Sequence, residues 1–406
     1  MTDFRVLIEE DRSGPLKAIQ LLISSFGAAG ATFLLQVILS RALDAASFGL
    51  VSFSNAITIT LGALAFSGVN GLLLRRVSRA PGEYVHYMQV AYVCLLINTL
   101  VAYAVSVALL VGAGIDSVAA MALATGVAAL SAQSIIITQG QLKSHALRIS
   151  AGQVCVPLLR IMCVAAVFYA LTPNLMSTAV ALAIANLFCA VLGLVLITRH
   201  GKPAAIHIRG FLGGTVKYAL NGALNIAQLQ IPISLLGLIY GSTYSGYLAI
   251  CNTLLTALYI APNTLFNTYL IKTYHGLSGE ERYLPIKHAL YSFGAGALCA
   301  LGLSLYSHEL VRWVFGGEYA FAAQVLHVAA LSIAFRFFAT PLGAALLSEE
   351  WISKKVIVAS AGVALQVVLF VLLMPFEAEG IGASIVASEF FIAVSYYILY
   401  RKSMAA

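Results

Sequence analysis

Apolar residues in this chain come in long runs, and the polar residues are gathered into short stretches between them. A run of about 20 such residues is long enough to cross the hydrocarbon core of a bilayer as a helix. Counted this way the chain holds twelve spans, at 17–40, 50–74, 87–113, 118–140, 149–171, 177–198, 218–240, 246–271, 288–306, 325–347, 356–374 and 379–400. The expected fold class is all-α: a polytopic membrane protein of about 12 transmembrane helices. Pro157, Pro232, Pro262 and Pro341 fall inside spans, where each is expected to interrupt its helix.

The polar positions also repeat. Gly49, Asn55, Asn70, Arg75 and Glu83 recur without a gap 197 residues later as Gly246, Asn252, Asn267, Lys272 and Glu280. Polar residues inside spans are scarce, so a register kept over such a stretch points to two related halves. The basic segment Arg199 to Lys217 separates span six from span seven. The expected organisation is an N-terminal six-helix lobe (1–198), a cytoplasmic linker (199–217) and a C-terminal six-helix lobe (218–406). Because six is even, the second half enters the membrane in the same sense as the first, which implies a pseudo-two-fold axis along the membrane normal.

Composition agrees: of 406 residues 61% are hydrophobic and 10% charged, against about 25% charged in ordinary soluble proteins. The net charge of +7 does not point to nucleic acid, because the basic residues lie in short clusters between apolar runs. Those clusters orient the chain instead. With both termini in the cytoplasm, pairs such as Arg75-Arg76, Lys354-Lys355 and Arg401-Lys402 lie inside, while Arg41 and Arg312 lie in outside loops. The six cysteines all fall in spans without a C-x-x-C pair and read as buried free thiols. The charged N-terminus lacks the short apolar core of a secretion signal.

Three ionisable residues sit deep in spans: Arg160 in the fifth, Arg336 in the tenth and Glu389 in the twelfth. A charge at that depth costs about 2.5–3.5 kcal/mol even on lenient scales, so each should face a wet cavity or a partner. Two readings stand: the arginines attract an anionic group on a cargo, or Arg336 and Glu389 form a structural pair. Asn221, Asn225 and Gln228 in span seven, and Asn252, Thr256, Tyr259 and Asn263 in span eight, fall at helical spacing on one face. Ser131, Ser134, Thr138 and Gln141 form a milder stripe in span four. Such faces suit sugar hydroxyls and equally suit helix-to-helix contacts.

Enzyme signatures are missing: there is no G-x-x-x-x-G-K-[ST] loop and no H-E-x-x-H. The longest outside loop is about 18 residues, an ordinary connector, which disfavours a membrane-embedded glycan polymerase or ligase.

Several short motifs carry a family resemblance. Arg41-Ala42-Leu43 with Ser47-Phe48-Gly49-Leu50-Val51-Ser52, then Gly68-Val69-Asn70, resemble the first turn and second span of polysaccharide flippases of the multidrug/oligosaccharidyl-lipid/polysaccharide exporter superfamily. Val314-Phe315-Gly316-Gly317-Glu318-Tyr319, Ala322-Ala323-Gln324-Val325-Leu326 and Glu379-Gly380-Ile381-Gly382-Ala383-Ser384 are similar to that family's entries into spans ten and twelve. The resemblance implies a MATE-like, two-lobed transporter with a cationic cavity. It would move a polyprenyl-diphosphate-linked oligosaccharide to the outer leaflet of a bacterial plasma (inner) membrane, for O-antigen or capsule biosynthesis. Drug antiporters of the superfamily commonly carry an acid in the first span, and here none lies between Asp11 and Asp44.

On this reading Arg160 and Arg336 hold the diphosphate. Arg41, Asn55, Asn221, Asn225, Gln228, Asn252 and Asn263 complete the candidate substrate-binding set, and Glu389 is the candidate group for coupling to a proton or sodium gradient. No cofactor, metal or nucleic acid is expected, and the expected partners are the lipid-linked oligosaccharide, membrane lipids and polysaccharide polymerase machinery. An ion-coupled small-molecule or drug exporter of the same superfamily is the alternative.

Overall fold

A computed structural model describes residues 14–79, 81–143, 145–198, 208–266, 274, 279–347 and 351–405. Where neighbours offer no water, every backbone N–H and C=O must be satisfied within its own segment, and the apolar runs fold as helices for that reason. The first half contains α1 (Gly14–Ala42), α2 (Ala45–Arg79), α3 (Tyr84–Gly112), α4 (Ser117–Ala124), α5 (Gly126–Leu142), α6 (Ala146–Ala170) and α7 (Leu175–Thr198). The second contains α8 (Ile208–Tyr240), α9 (Ser242–Thr264), α10 (Leu284–Leu305), α11 (Ser307–Val314), α12 (Ala320–Ala329), α13 (Ser332–Ala345), α14 (Ile352–Leu373) and α15 (Glu377–Ala405).

By length and apolarity, nine stretches among the described residues can cross a membrane, and the last of these, Ile352–Met404, holds both α14 and α15. The bent pair α12–α13 and helix α8, whose apolar part is Ile226–Tyr240, bring the set to the twelve rods expected. They form two six-helix lobes related by a pseudo-two-fold axis, with α11 as a short extra helix. Large apolar side chains such as Ile23, Leu298 and Ile357 are exposed around the outside, as a lipid-facing belt requires.

The lobes meet chiefly along α2 and α8, with α9 also packed on α2 and α1. Tight turns gather at the end of the bundle marked by Asp44, where Gly114, Gly241 and Gly316 take positive φ of 85°, 96° and 120°. The opposite end is marked by Glu83.

Three expectations need correction. Helix α8 begins at Ile208, inside the stretch read as linker, and 199–207 lies outside the described residues. The four prolines do not end their helices: Pro157, Pro232, Pro262 and Pro341 all lie inside continuous α6, α8, α9 and α13. At each of two breaks a hydroxyl bonds a main-chain carbonyl, as hydroxyls also do within the unbroken helices. Thr125 Oγ1 donates to the Ala122 carbonyl at 2.6 Å between α4 and α5, and Ser332 Oγ donates to the Ala329 carbonyl at 2.6 Å where α12 bends by 52° into α13. All six cysteines are free, yet Cys299 is exposed, because its side of α10 faces away from the bundle.

Candidate functional site

The Asp44 end is where the lobes close on each other. Gly246 meets Phe48 and Gly49, and a Cβ on Gly49 would collide with the Ser242 carbonyl, so α2 and α9 approach at their repeat-equivalent glycines. Phe48 stands edge-on to Tyr319 with centroids 5.8 Å apart, Phe33 does the same to Phe315 at 5.8 Å, and the Tyr319 hydroxyl donates to the Ser40 carbonyl at 3.0 Å. Arg41 belongs to this closure and does not line the two cavities described below. Its Nε donates to the Val314 carbonyl at 2.8 Å and its Nη2 to the Trp313 carbonyl, which places a cation on the C-terminal end of α11. Beside it, hydrogen bonds from the side chain and backbone of Ser47 hold the Asp44 carboxyl below its usual range.

Below that seal lies a cavity of about 240 Å³ between the lobes. Its walls come from α1, α2, α8 and α9, and they pair off at the repeat's own offset of 197: Phe33 with Gln230, Gln36 with Ile233, Ser52 with Ala249, Asn55 with Asn252, and Ile59 with Thr256. The pseudo-two-fold axis therefore runs through this space. Its lining has no charged residue, and two buried polar atoms, Gln36 Oε1 and Ser52 Oγ, have no hydrogen-bond partner. Asn55 and Asn252 were legible from the repeat. Gln36, Ser52 and Gln230 were missed, although a glutamine deep in the first span is the kind of signal that marks a cavity.

A second cavity of about 340 Å³ opens within the second lobe, toward the Glu83 end, among α8, α9, α13, α14 and α15. Here the structure joins residues that the sequence had separated. Arg336 Nη1 donates to Glu389 Oε1 and to Gln228 Oε1, both at 3.1 Å, while Gln228 Nε2 donates to Glu389 Oε1 at 3.0 Å. The guanidinium carbon stands 5.4 Å from the centre of the Tyr259 ring, whose hydroxyl is 2.9 Å from Ser332 Oγ at the α12–α13 bend. Glu389 is 2% exposed, and its Oε2 has no hydrogen-bond partner. Asn263 lines the same space. Sequence reasoning missed Lys355, assigned above to an inside basic cluster. It is buried, donates to the Gly343 carbonyl at 2.7 Å and sits 5.8 Å from the Tyr396 ring centre.

Arg160 stands apart from both spaces. It lies in the first lobe on α6, where its Nε donates to Asn186 Oδ1 at 2.9 Å, and Asn186 Nδ2 donates to Thr125 Oγ1 at 3.2 Å. The two buried arginines thus do not converge on one anion in this conformation. Each instead stands one contact away from the hydroxyl at its own lobe's helix break, through Asn186 for Arg160 and through Tyr259 for Arg336. Asn221 and Asn225 lie on α8, and their side chains are outside the described residues, as are Asn267 and Lys272 of the repeat. The α9 stripe divides along its length: Asn252 and Thr256 face the inter-lobe cavity and Asn263 the second-lobe cavity, while Tyr259 is buried between helices. The α5 stripe serves packing. Ser134 and Thr138 bond carbonyls of their own helix, Ser131 accepts from Thr99 at 2.8 Å, and Gln141 is exposed.

No family model and no curated relative matches the chain. Solved structures do. The lipid II flippase MurJ in an inward closed conformation superposes with a TM-score of 0.70 at 12% identity, covering 96% of this chain and 88% of that one. An inward-facing multidrug resistance MATE family transporter of the MOP superfamily gives 0.64 at 13% identity, over 95% and 94% of the two chains. An outward-facing MATE transporter gives 0.62 at 14% identity, over 96% and 95%. The architecture is thus the MATE-like one. The same fold is common to the lipid II flippase and to the two multidrug resistance MATE family transporters.

Proposed function

We propose that the protein is a flippase that carries a polyprenyl-diphosphate-linked oligosaccharide from the cytoplasmic to the outer leaflet of a bacterial inner membrane, for surface polysaccharide biosynthesis. The observation that carries the reading is the inter-lobe cavity: an uncharged, hydrogen-bonding space on the symmetry axis with two unsatisfied buried polar atoms. Sugar hydroxyls satisfy such groups, whereas leaving them bare costs about 1–3 kcal/mol each. A volume of about 240 Å³ is below the ~300–1,000 Å³ of drug-sized sites, so the lobes must part to admit cargo. Transport by alternating access follows: the Asp44 end, placed on the outside by the positive-inside rule, closes as the Glu83 end opens. The phosphate-bearing end of the lipid is met by Arg336, with Glu389 released from its arginine when cargo binds, and the isoprenoid tail stays in the bilayer. A drug exporter is the competing reading and draws on the buried carboxylate of Glu389, a candidate ion-coupling group.

The test is direct. The purified protein is reconstituted into vesicles containing a fluorescent undecaprenyl-diphosphate-linked oligosaccharide, and the fraction of sugar accessible to an external lectin is followed. Protein-dependent transfer between leaflets is the expected result. No transfer of any lipid-linked sugar, together with ion-driven export of cationic dyes from the same vesicles, moves the assignment to the exporter.

A further inference from the structure

Lys355 is the feature of the second-lobe cavity that the Arg336–Glu389 pair does not explain. It lies at the first turn of α14, where a lysine could reach out toward headgroups, yet it is 6% exposed and turned inward. Its ammonium has three donors and spends one, on the Gly343 carbonyl at 2.7 Å. The face of Tyr396 supports the charge without neutralising it. Arg336 likewise uses one of its two terminal nitrogens, Nη1, on Gln228 and Glu389. Among the described residues the cavity therefore brings two cations and one carboxylate to about 340 Å³ of space, with Gln228, Asn263 and Thr340 as further polar lining. A buried ammonium without a counterion is strongly unfavourable, and an anion entering the cavity would relieve that cost. The two sites share two wall helices. Gln228 and Gln230 on α8, and Asn263 and Ile260 on α9, line the charged and the uncharged cavity respectively.

We propose that Lys355 and Arg336 form a two-cation seat for a phosphate or diphosphate group in the second lobe, beside the neutral inter-lobe cavity that takes sugar. The proposal rests on the flippase reading for the source of the phosphate, though the seat is defined by its own residues. Guanidinium offers paired donors to the phosphate oxygens and the ammonium a compact charge. Incoming phosphate takes over Arg336, and Glu389 keeps Gln228 as its partner. A ligand that bridges both cavities would hold its phosphate at the Glu83 end of the second lobe and its first sugars on the axis between the lobes.

The experiment titrates inorganic pyrophosphate and farnesyl diphosphate, with farnesol as the uncharged control, into the full-length protein in zwitterionic-lipid nanodiscs, by calorimetry and by thermal unfolding. Both diphosphates should bind and raise the unfolding temperature, and farnesol should do neither through this site. Lys355→Met should weaken pyrophosphate by about tenfold or more, the scale of one charge-assisted contact, while Lys355→Arg retains most of the binding. Without ligand, Lys355→Met should unfold at the same or a higher temperature, since it removes an unanswered buried charge. Arg160→Met, in the other lobe, should leave pyrophosphate binding unchanged. Unaltered pyrophosphate affinity in Lys355→Met overturns the seat. So does a lowered unfolding temperature in Lys355→Met with no pyrophosphate effect in the wild type, which would make Lys355 a structural cation. Pyrophosphate binding that depends on Lys355, with no lipid-linked sugar moved in the vesicle assay, keeps the seat and rejects the flippase. Lipid-linked sugar moved equally well by Lys355→Met, with unchanged binding, rejects the seat and keeps the flippase.

Discussion

Glu389 shows how the cost of buried charge shapes a single position. Its Oε1 is shared by Arg336 and Gln228, while its Oε2 is buried and bare. Removing one partner of such a pair leaves the other uncompensated, which costs about 3–5 kcal/mol, whereas replacing both by apolar groups is often neutral. Glu389→Ala should therefore lower stability by about that amount, and the double change Arg336→Met with Glu389→Leu should recover most of it. Chemical unfolding in detergent, followed by tryptophan fluorescence, checks both. If Glu389→Ala were neutral while the protein stayed folded, the carboxylate would already be neutral or solvated, and its pairing with Arg336 would not be structural. Lys355 marks the limit of reading at this scale. Next to Lys354, which faces the Trp351 ring at 3.6 Å, it has the sequence of an ordinary basic helix start. Only the folding of α9, α13 and α15 over it makes it a cavity residue.

At the scale of helices, close approach is the property that was partly legible. Gly49 and Gly246 stood out as a repeated pair, and they proved to be the contact between α2 and α9. Their partner atoms were not legible, because a sequence repeat says which positions are equivalent and not which ones touch. Gly49→Ala should cost about 1–3 kcal/mol by forcing α2 away from the Ser242 carbonyl. Gly27→Ala on α1, where an added Cβ meets nothing within 4 Å, should be neutral or stabilising by up to about 1 kcal/mol. Thermal unfolding of the two variants side by side checks the contrast, and equal effects would mean the α2–α9 contact is loose. The helix breaks were misread for a related reason. Proline announces itself in a sequence, but all four prolines sit inside continuous helices, while the hydroxyls at the two breaks, Thr125 and Ser332, meet Asn186 and Tyr259 from other helices.

For the whole molecule, the twelve rods and the two-lobe division were readable because span length and charge clustering are set locally by the bilayer. The closed Asp44 end was not, because its bonds join residues more than 270 positions apart, Arg41 to Trp313 and Val314 and Tyr319 to Ser40. Those bonds tie the first lobe to the second at the end opposite the phosphate seat, so they oppose opening there. Ser52 lies just beneath them on the cavity wall, 3% exposed. In a background with the six native cysteines replaced, Ser52→Cys should react slowly with a membrane-impermeant maleimide added from the Asp44 side. Adding Arg41→Ala removes two hydrogen bonds from a charged donor, each worth about 1.5–3 kcal/mol before discounting for Arg41's exposure. The closed state should lose population and labelling should speed up several-fold. Unchanged labelling with Arg41→Ala, alongside faster labelling with Tyr319→Ala, would place the latch in the aromatic contacts instead. Unchanged labelling in both would mean the Asp44 end is held by the α2–α9 glycine contact alone.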